Sequence, residues 1–203
     1  MHSNSLTEAD ITKCIAQIPQ SEPFNEYSTS FFDGPPTPAA VLLPLLLQDD
    51  KWHLLFIRRT NNDGDYHSGQ VAFPGGAREP EDRSIKLAAL REAHEEIGLN
   101  STDVHILGQL NDFVTISSFQ VTPFVGVIPW PYPLSLSSEE VVRAFTIPLD
   151  WLANPHNHKI DHREIPGRDN PIPVIYFDEY DGEVLWGASA RFTLHFLKTL
   201  KLI

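Results

Sequence analysis

The sequence is short of the features that mark secreted and membrane proteins. It has a single cysteine, Cys14, among 203 residues, so neither an internal disulfide nor a thiolate metal cluster can form. We expect Cys14 to be a buried, unreactive thiol within a helix. The longest apolar run, residues 39–47, contains a proline and is too short to cross a bilayer. Residues 1–6 lack the basic and apolar regions of a signal peptide, so we expect a cytoplasmic protein with no membrane partner.

Basic residues are also scarce. The chain has 15 lysines and arginines against 27 aspartates and glutamates, which gives a formal net charge of -12. Because contacts to nucleic-acid phosphates need an excess of positive charge, this balance argues against a nucleic-acid partner. It does not exclude a small substrate that carries phosphate, since a bound metal ion reverses the local charge.

Apolar patterning predicts a chain in which strands outnumber helices. Helices are predicted over residues 7–18, 81–97, 139–145 and 188–201. Strands are predicted over residues 41–47, 52–59, 70–73, 106–110, 119–130, 174–177 and 184–186. Residues 154–173 are polar and rich in proline, and we interpret them as an irregular loop. Helices interspersed among strands predict an α+β fold, built as an α/β/α sandwich around a mixed β-sheet.

The most informative segment is a glycine turn, residues 75–76, that leads into an acidic helix. Glu92, Glu95 and Glu96 lie within an arc of about 100° on that helix. Like charges at these spacings destabilise an isolated helix by about a few tenths of a kcal/mol per pair. Arg91, four residues before Glu95, is the basic neighbour at a suitable spacing on the helix. Something further must neutralise this face.

Two interpretations of the acidic face are open. A charge run is commonly a solvated surface, and that is the simpler interpretation. The alternative is a divalent-cation site, because Mg²⁺ prefers carboxylate oxygens together with waters and phosphate oxygens. The adjoining apolar stripe, and a glycine turn that allows close backbone approach, favour the metal site.

The same segment resembles the Nudix box, whose pattern is G-x5-E-x7-R-E-U-x-E-E-x-G-U with U a bulky apolar residue. Residues 91–99 match this pattern except at Ala93, where the pattern has a bulky residue. Gly76 matches the opening glycine and Asp82 stands at the first glutamate position. One extra residue then precedes Arg91. The resemblance implies a Nudix-type fold and hydrolysis of a nucleoside diphosphate linked to another group.

The flanking sequence is similar to the coenzyme A diphosphatase branch of the Nudix family. The similar segments are residues 54–59, 67–76, 120–126 and 186–191. This branch implies cleavage of coenzyme A or its derivatives to 3′,5′-ADP and 4′-phosphopantetheine. The chain departs from the branch at residues 63–65, which are acidic where members usually carry a basic residue.

The resemblance also implies roles for individual residues. Mg²⁺ or Mn²⁺ would be held by the side chains of Glu92, Glu95 and Glu96 and by the carbonyl of Gly76. Arg91 would orient this cluster through charge-assisted bonds. The residues expected to bind substrate are Arg58, Arg59, His67, Gly75 and Gly76.

Several of these roles have alternatives. Arg58 and Arg59 could instead form ordinary salt bridges at a strand end, and His67 could be a structural loop residue. The base that deprotonates the attacking water is Glu92 or a later carboxylate, Glu139 or Glu140. For the later pair we favour a solvated helix start.

Residues 1–38 are predicted to be an N-terminal helix and loop extension, and residues 39–203 the Nudix hydrolase domain. The rival activities are hydrolysis of ADP-ribose or another dinucleotide, and nucleotide sensing without catalysis. The complete set of three glutamates argues against a sensor. The expected partner is a small nucleotide, and the sequence leaves a homodimer open.

Overall fold

The computed structural model describes residues 6–19, 24, 34–61, 69–164 and 171–203. The helices are α1 (Glu8–Ala16), α2 (Ile85–Ile97), α3 (Leu149–Leu152) and α4 (Gly187–Thr199). The strands are β1 (Thr37–Gln48), β2 (Lys51–Arg59), β3 (Val71–Ala72), β4 (Gly75–Ala77), β5 (His105–Gln109), β6 (Phe113–Val114), β7 (Phe119–Val127), β8 (Val141–Pro148), β9 (His158–Arg163), β10 (Ile172–Tyr180) and β11 (Glu183–Trp186). No helix among these residues is long and apolar enough to cross a membrane.

The described strands form two sheets. The larger has eight strands along the path β3-β2-β1-β7-β5, with β4 beside β1, β6 beside β7 and β8 beside β2. Strands β1 and β7 run parallel, whereas the other pairs in this sheet are antiparallel. The smaller sheet has the order β11-β10-β9. The predicted α+β class with a mixed sheet is confirmed.

The two faces of the large sheet bury separate cores, since side chains alternate along each strand. Leu42, Leu46 and Ile57 are fully buried in the core that β1 and β2 share with α2. On the opposite face, Leu43 and Leu54 pack into the core formed with α1, α3, α4 and the smaller sheet. Each such leucine contributes about 1.5–3 kcal/mol by leaving water. Helix α2 is therefore fixed across the strands that carry the glycine turn.

Helix α2 begins at Ile85 rather than at residue 81 as predicted. Ser84 is its N-cap, and the Ser84 hydroxyl accepts a hydrogen bond from the backbone N–H of Leu87. The preceding residues form a turn in which the carboxylate of Asp82 accepts the N–H of Glu79 at 2.9 Å. The predicted end of the helix at Gly98 is confirmed, since Gly98 is the C-cap with φ of 70°.

Two sequence predictions about secondary structure are wrong. Residues 139–145 were expected to form a helix, but β8 occupies 141–148 and pairs with β2. A short apolar run does not distinguish a helix from a strand by its period. Residues 154–173 were expected to be an irregular loop, but they contain β9 and the start of β10. Because β9 is exposed along most of its length, its sequence shows no alternation of apolar residues.

The predicted N-terminal helix is confirmed as α1, and it packs on the large sheet. Thr7 and Asp10 form the expected capping box, each side chain accepting the other's backbone N–H. Ile11 and Ile15 enter the core opposite α2. Cys14 is half-buried against that core rather than fully buried. The division of the chain at residue 38 stays a prediction.

Replacing Gly98 by alanine should destabilise the protein more than the same change at Gly182. Both glycines have positive φ, 70° and 80°, so each substitution costs about 1–2 kcal/mol of backbone strain. A Cβ at Gly98 would also lie 2.8 Å from the Cβ of Ser135. At Gly182 it would meet no described atom within 4 Å. Urea denaturation should therefore show a larger loss of unfolding free energy for Gly98→Ala, by about 1 kcal/mol or more. Equal losses would contradict a close contact between α2 and Ser135.

Candidate active site

The carboxylate of Glu96 is held where α2 crosses the ends of β2 and β4. The backbone N–H of Gly75 donates to its Oε2 at 3.0 Å. Nη1 of Arg59, at the end of β2, donates to its Oε1 at 3.1 Å. The Glu96 residue is only 1% exposed. A strand backbone and a guanidinium thus fix this buried acid from two directions.

The carboxylate of Glu92 lies against the backbone of Gly76. A Cβ built on Gly76 would lie 2.4 Å from Oε1 of Glu92 and 2.6 Å from its Cδ. Any side chain at position 76 would displace the acid. The glycine is therefore needed for close approach, as expected from the sequence.

Arg91 forms ion pairs with four carboxylates, of which the one with Glu79 is the longest at 3.9 Å. Its Nη1 lies 3.0 Å from Oε1 of Glu92 and 2.8 Å from Oε2 of Glu95. Its Nη2 lies 3.2 Å from Oδ2 of Asp82 and donates to the carbonyl of Ala77 at 3.1 Å. These charge-assisted bonds join α2 to β4 and to the turn before the helix. This is the geometry expected of a residue that orients the glutamates.

Asp82 holds Arg91, although the sequence interpretation matched Asp82 to the motif without giving it a role. Its side chain is 6% exposed and accepts hydrogen bonds from Nε of Arg91 at 3.3 Å and from Nη2 at 3.2 Å. Burial acts to raise the pKa of Asp82, but the hydrogen bonds from Arg91 and Glu79 outweigh it and lower the pKa. Asp82 therefore stays ionised and holds Arg91 in place.

The site carries more negative charge than its arginines balance. Burial raises the pKa of Glu96 to about 8, although the Gly75 N–H and Arg59 act in the other direction. Burial likewise raises the pKa of Glu92, against the effect of Arg91. Negative charge on Glu140 adds to both increases. A bound cation would lower the pKa of both glutamates and so favour their ionised forms.

The donor set fits a hard divalent cation. Glu92 and Glu96 are one helical turn apart, and both approach the backbone of the glycine turn at residues 75–76. Their carboxylate oxygens are the ligand type that Mg²⁺ and Mn²⁺ prefer. Within the described residues, no three acidic, histidine or cysteine side chains already converge in a metal-binding arrangement. Glu95 is 51% exposed, and its Oε2 contacts Nη1 of Arg91.

The two arginines at the end of β2 lie on opposite faces of the sheet, because neighbouring strand residues alternate. Arg59 shares the α2 face with Glu96. The guanidinium of Arg58 instead pairs with Glu183 of β11, with Nη1 2.7 Å from Oε2. Of the two, Arg59 is the one that the fold brings to the glutamates. His67 and the acidic residues 63–65 lie outside the described residues.

Glu139 and Glu140 do not start a helix, contrary to the sequence interpretation. They lie in the turn before β8, and the backbone carbonyls of both accept hydrogen bonds from Thr60. These bonds tie the turn to the residue that follows Arg59. Glu140 is near enough to raise the pKa of Glu92 and Glu96.

The arrangement of glycine turn, acidic helix and mixed sheet corresponds to a known family. Residues 36–166 match the NUDIX domain, which is more than half of the chain. The chain therefore belongs to the Nudix family. Enzymes of this family generally use divalent metals such as Mg²⁺ or Mn²⁺ and hydrolyse nucleoside diphosphates linked to another group.

Individual relatives agree with this assignment. The chain is 36% identical over 187 residues to a protein of Yersinia pestis (strain Pestoides F) described as an uncharacterized Nudix hydrolase, NudL. The match covers 91% of this chain and 90% of that protein. The NudL of Yersinia pseudotuberculosis serotype O:1b (strain IP 31758) gives the same values.

Two solved structures share the fold. The MutT protein from Methanosarcina mazei Go1 has a TM-score of 0.52 at 20% identity, over 84% of this chain and 96% of that one. A MutT/nudix family protein from Enterococcus faecalis has a TM-score of 0.54 at 13% identity, over 97% of this chain and 75% of that one. At these identities the likeness concerns the fold alone.

The buried carboxyl of Glu96 predicts a pH-dependent stability of the metal-free protein. Its folded pKa of about 8 is raised above the ordinary value of 4.5, so stability falls as pH rises between these values. Glu96→Gln removes this loss. In EDTA at pH 8, thermal melts should therefore show the variant to be more stable than wild type, and the gap should close near pH 5.

Adding Mg²⁺ at pH 8 should raise the melting temperature of the wild type far more than that of Glu96→Gln, because binding to the folded state stabilises it. Glu179→Gln, which changes an exposed acid on β10, is the control and should respond like wild type. The same response in all three proteins would contradict an ion site at Glu96.

Proposed function

We propose that the protein is a diphosphatase that cleaves coenzyme A or its derivatives to 3′,5′-ADP and 4′-phosphopantetheine. The observation that carries this proposal is the convergence of Glu92 and Glu96 on the backbone of residues 75–76. Membership of the Nudix family supports hydrolysis of a diphosphate. The resemblance of the flanking segments to the coenzyme A branch supports the substrate.

Each residue at the site has a role in this proposal. Glu92 and Glu96, joined by Glu95 and the Gly76 carbonyl, would hold Mg²⁺ or Mn²⁺. When bound, the ion supplies positive charge that stabilises the diphosphate oxygens and makes the attacking water more acidic. Arg91, anchored by Asp82, keeps the glutamates in position.

Of Arg58 and Arg59, we propose Arg59 for substrate binding, because its guanidinium contacts Glu96 on the α2 face of the sheet. Its guanidinium suits an oxygen of the diphosphate. Arg58 is paired with Glu183 on the opposite face, so its proposed role is to hold β11 against β2.

Hydrolysis forms one bond between water oxygen and phosphorus and breaks the phosphorus–oxygen bond of the bridge. The water loses a proton, and a carboxylate must accept it. Glu92 and Glu140 are the candidates for this base. The electrostatic effect of Glu140 on both Glu92 and Glu96 supports it as the alternative to Glu92. Glu139, in the same turn, is a third candidate.

Two other functions compete with this proposal. One is hydrolysis of ADP-ribose or another dinucleotide, which the same glutamates would support. The acidic residues 63–65 favour this rival, because they stand where the coenzyme A branch usually has a basic residue. The other is nucleotide sensing without catalysis. The complete glutamate set, held by Arg91 and Asp82, argues against a sensor because binding alone does not require it.

Glu92→Gln should lower kcat for the preferred substrate by about two orders of magnitude or more, because it removes charge that would hold the ion. The fold should persist, since glutamine has the same shape and Glu92 is not a core residue. Steady-state kinetics with saturating Mg²⁺ would measure this, with Glu179→Gln as the matched surface control. Near-wild-type kcat in the Glu92→Gln variant would contradict its assignment as a ligand.

A substrate panel tests the choice of coenzyme A. We expect product chromatography with Mg²⁺ or Mn²⁺ to show 3′,5′-ADP from coenzyme A, at a higher kcat/KM than for ADP-ribose or NADH. Turnover of ADP-ribose with none of coenzyme A would reject the substrate while leaving the diphosphatase assignment intact. Tight nucleotide binding without any cleavage would favour the sensor.

A further inference from the structure

Thr60, the residue that follows β2, is held by all three of its polar groups. Its backbone N–H donates to the carbonyl of Glu140 at 2.9 Å, and its carbonyl accepts the N–H of Gly69 at 3.0 Å. Its hydroxyl donates to the carbonyl of Glu139 at 2.8 Å. Thr60 therefore joins the end of β2 to the turn that precedes β8.

The turn at residues 137–140 is anchored on its other side to α2. The backbone N–H of Ser137 donates to the carbonyl of Glu96 at 2.9 Å. The carbonyl of Ser137 accepts the N–H groups of Glu140 at 3.1 Å and of Val141 at 2.8 Å, which closes the turn. The turn therefore bridges α2 and the end of β2.

These hydrogen bonds limit how far Glu140 lies from Glu96. A backbone hydrogen bond keeps the Cα atoms of its two residues within about 7 Å, and the ends of a β-turn also lie within about 7 Å. The Cα atoms of Glu96 and Glu140 are therefore at most about 14 Å apart, which two glutamate side chains and one water molecule can span. An electrostatic effect agrees with this distance. Burial is the main cause of the raised pKa of Glu92 and of Glu96, and the negative charge of Glu140 adds to it in both.

The carboxylate of Glu140 is available to accept a proton. Within the part of the chain that the structure describes, this carboxylate forms no hydrogen bond or ion pair, and the residue is exposed. Glu92, in contrast, pairs with Arg91 at 3.0 Å and would hold the ion in the proposed function. Because nearby cations stabilise the ionised form of a carboxyl, they make it a weaker base. Glu140 is therefore better suited to proton transfer than Glu92.

We infer that Thr60 is a positioning residue for the hydrolysis and that it acts through Glu140. Its hydroxyl and N–H hold the turn so that the carboxylate of Glu140 faces the attacking water. The water gives one proton to that carboxylate while its oxygen bonds to phosphorus and the bridging phosphorus–oxygen bond breaks. This inference rests on the proposed function for the reaction, and it applies to whichever diphosphate the site hydrolyses.

Thr60→Val removes the hydroxyl bond to the turn and keeps both backbone bonds. Because a misplaced base transfers the proton less well, kcat should fall about tenfold. KM and the affinity for Mn²⁺ should stay as in wild type, because Arg59 and the proposed ion ligands are unchanged. Thr60→Ser keeps the hydroxyl and should keep the wild-type kcat.

Thr12→Val is the matched control for the loss of a threonine hydroxyl. The hydroxyl of Thr12 also donates to a backbone carbonyl at 2.8 Å, that of Glu8, but it lies on α1. Its kcat should equal that of wild type. Thermal melts of every variant would show that each one is folded.

A double-mutant cycle gives a readout that a merely structural role would not move. Glu140→Gln changes an exposed residue and should lower kcat about a hundredfold or more, the usual contribution of a general base. If Thr60 acts through Glu140, adding Thr60→Val to Glu140→Gln should lower kcat by no more than about twofold.

Failure of this inference and failure of the proposed substrate give different results. A wild-type kcat in Glu140→Gln or in Thr60→Val overturns the inference even if coenzyme A is cleaved. Equal losses from Thr60→Val with and without Glu140 also overturn it. Turnover of ADP-ribose with none of coenzyme A rejects the proposed substrate, and the cycle measured with ADP-ribose then decides the role of Thr60.

Discussion

Arg91 holds together acidic groups that would otherwise repel one another, and the rest of the site depends on this contact. One guanidinium reaches Glu92, Glu95 and Asp82 and bonds the backbone of β4. It thereby fixes α2 to the glycine turn at residues 75–76, which Glu92 and Glu96 contact. Without it, the negative charges of Glu92, Glu95 and Asp82 would repel one another.

A second arginine, Arg59 on strand β2 of the large sheet, adds positive charge to the site. Arg59 reaches Glu96 from β2, so the acidic face has a basic partner that helix spacing alone does not reveal. Even so, Glu96 keeps a pKa of about 8 because it is buried. A divalent ion binds the ionised carboxylate, so binding would displace the proton of Glu96 and would strengthen as pH rises.

Local chemistry in the sequence predicted much of the structure, and long-range contacts account for the rest. The capping box at Thr7 and the helix end at Gly98 are set by neighbouring residues and were predicted correctly. The strand at 141–148 was mistaken for a helix because its burial comes from pairing with a distant strand. The contacts between Asp82 and Arg91 were missed for the same reason. The opposite directions of Arg58 and Arg59 could have been inferred from strand alternation.

Titration of the protein with Mn²⁺, followed by electron paramagnetic resonance, detects an ion at Glu92 and Glu96 without any substrate. Wild type should bind Mn²⁺, and the variant that combines Glu92→Gln with Glu96→Gln should bind it at least about tenfold more weakly while remaining folded. Equal Mn²⁺ affinity in the two proteins would contradict a metal site built on these glutamates.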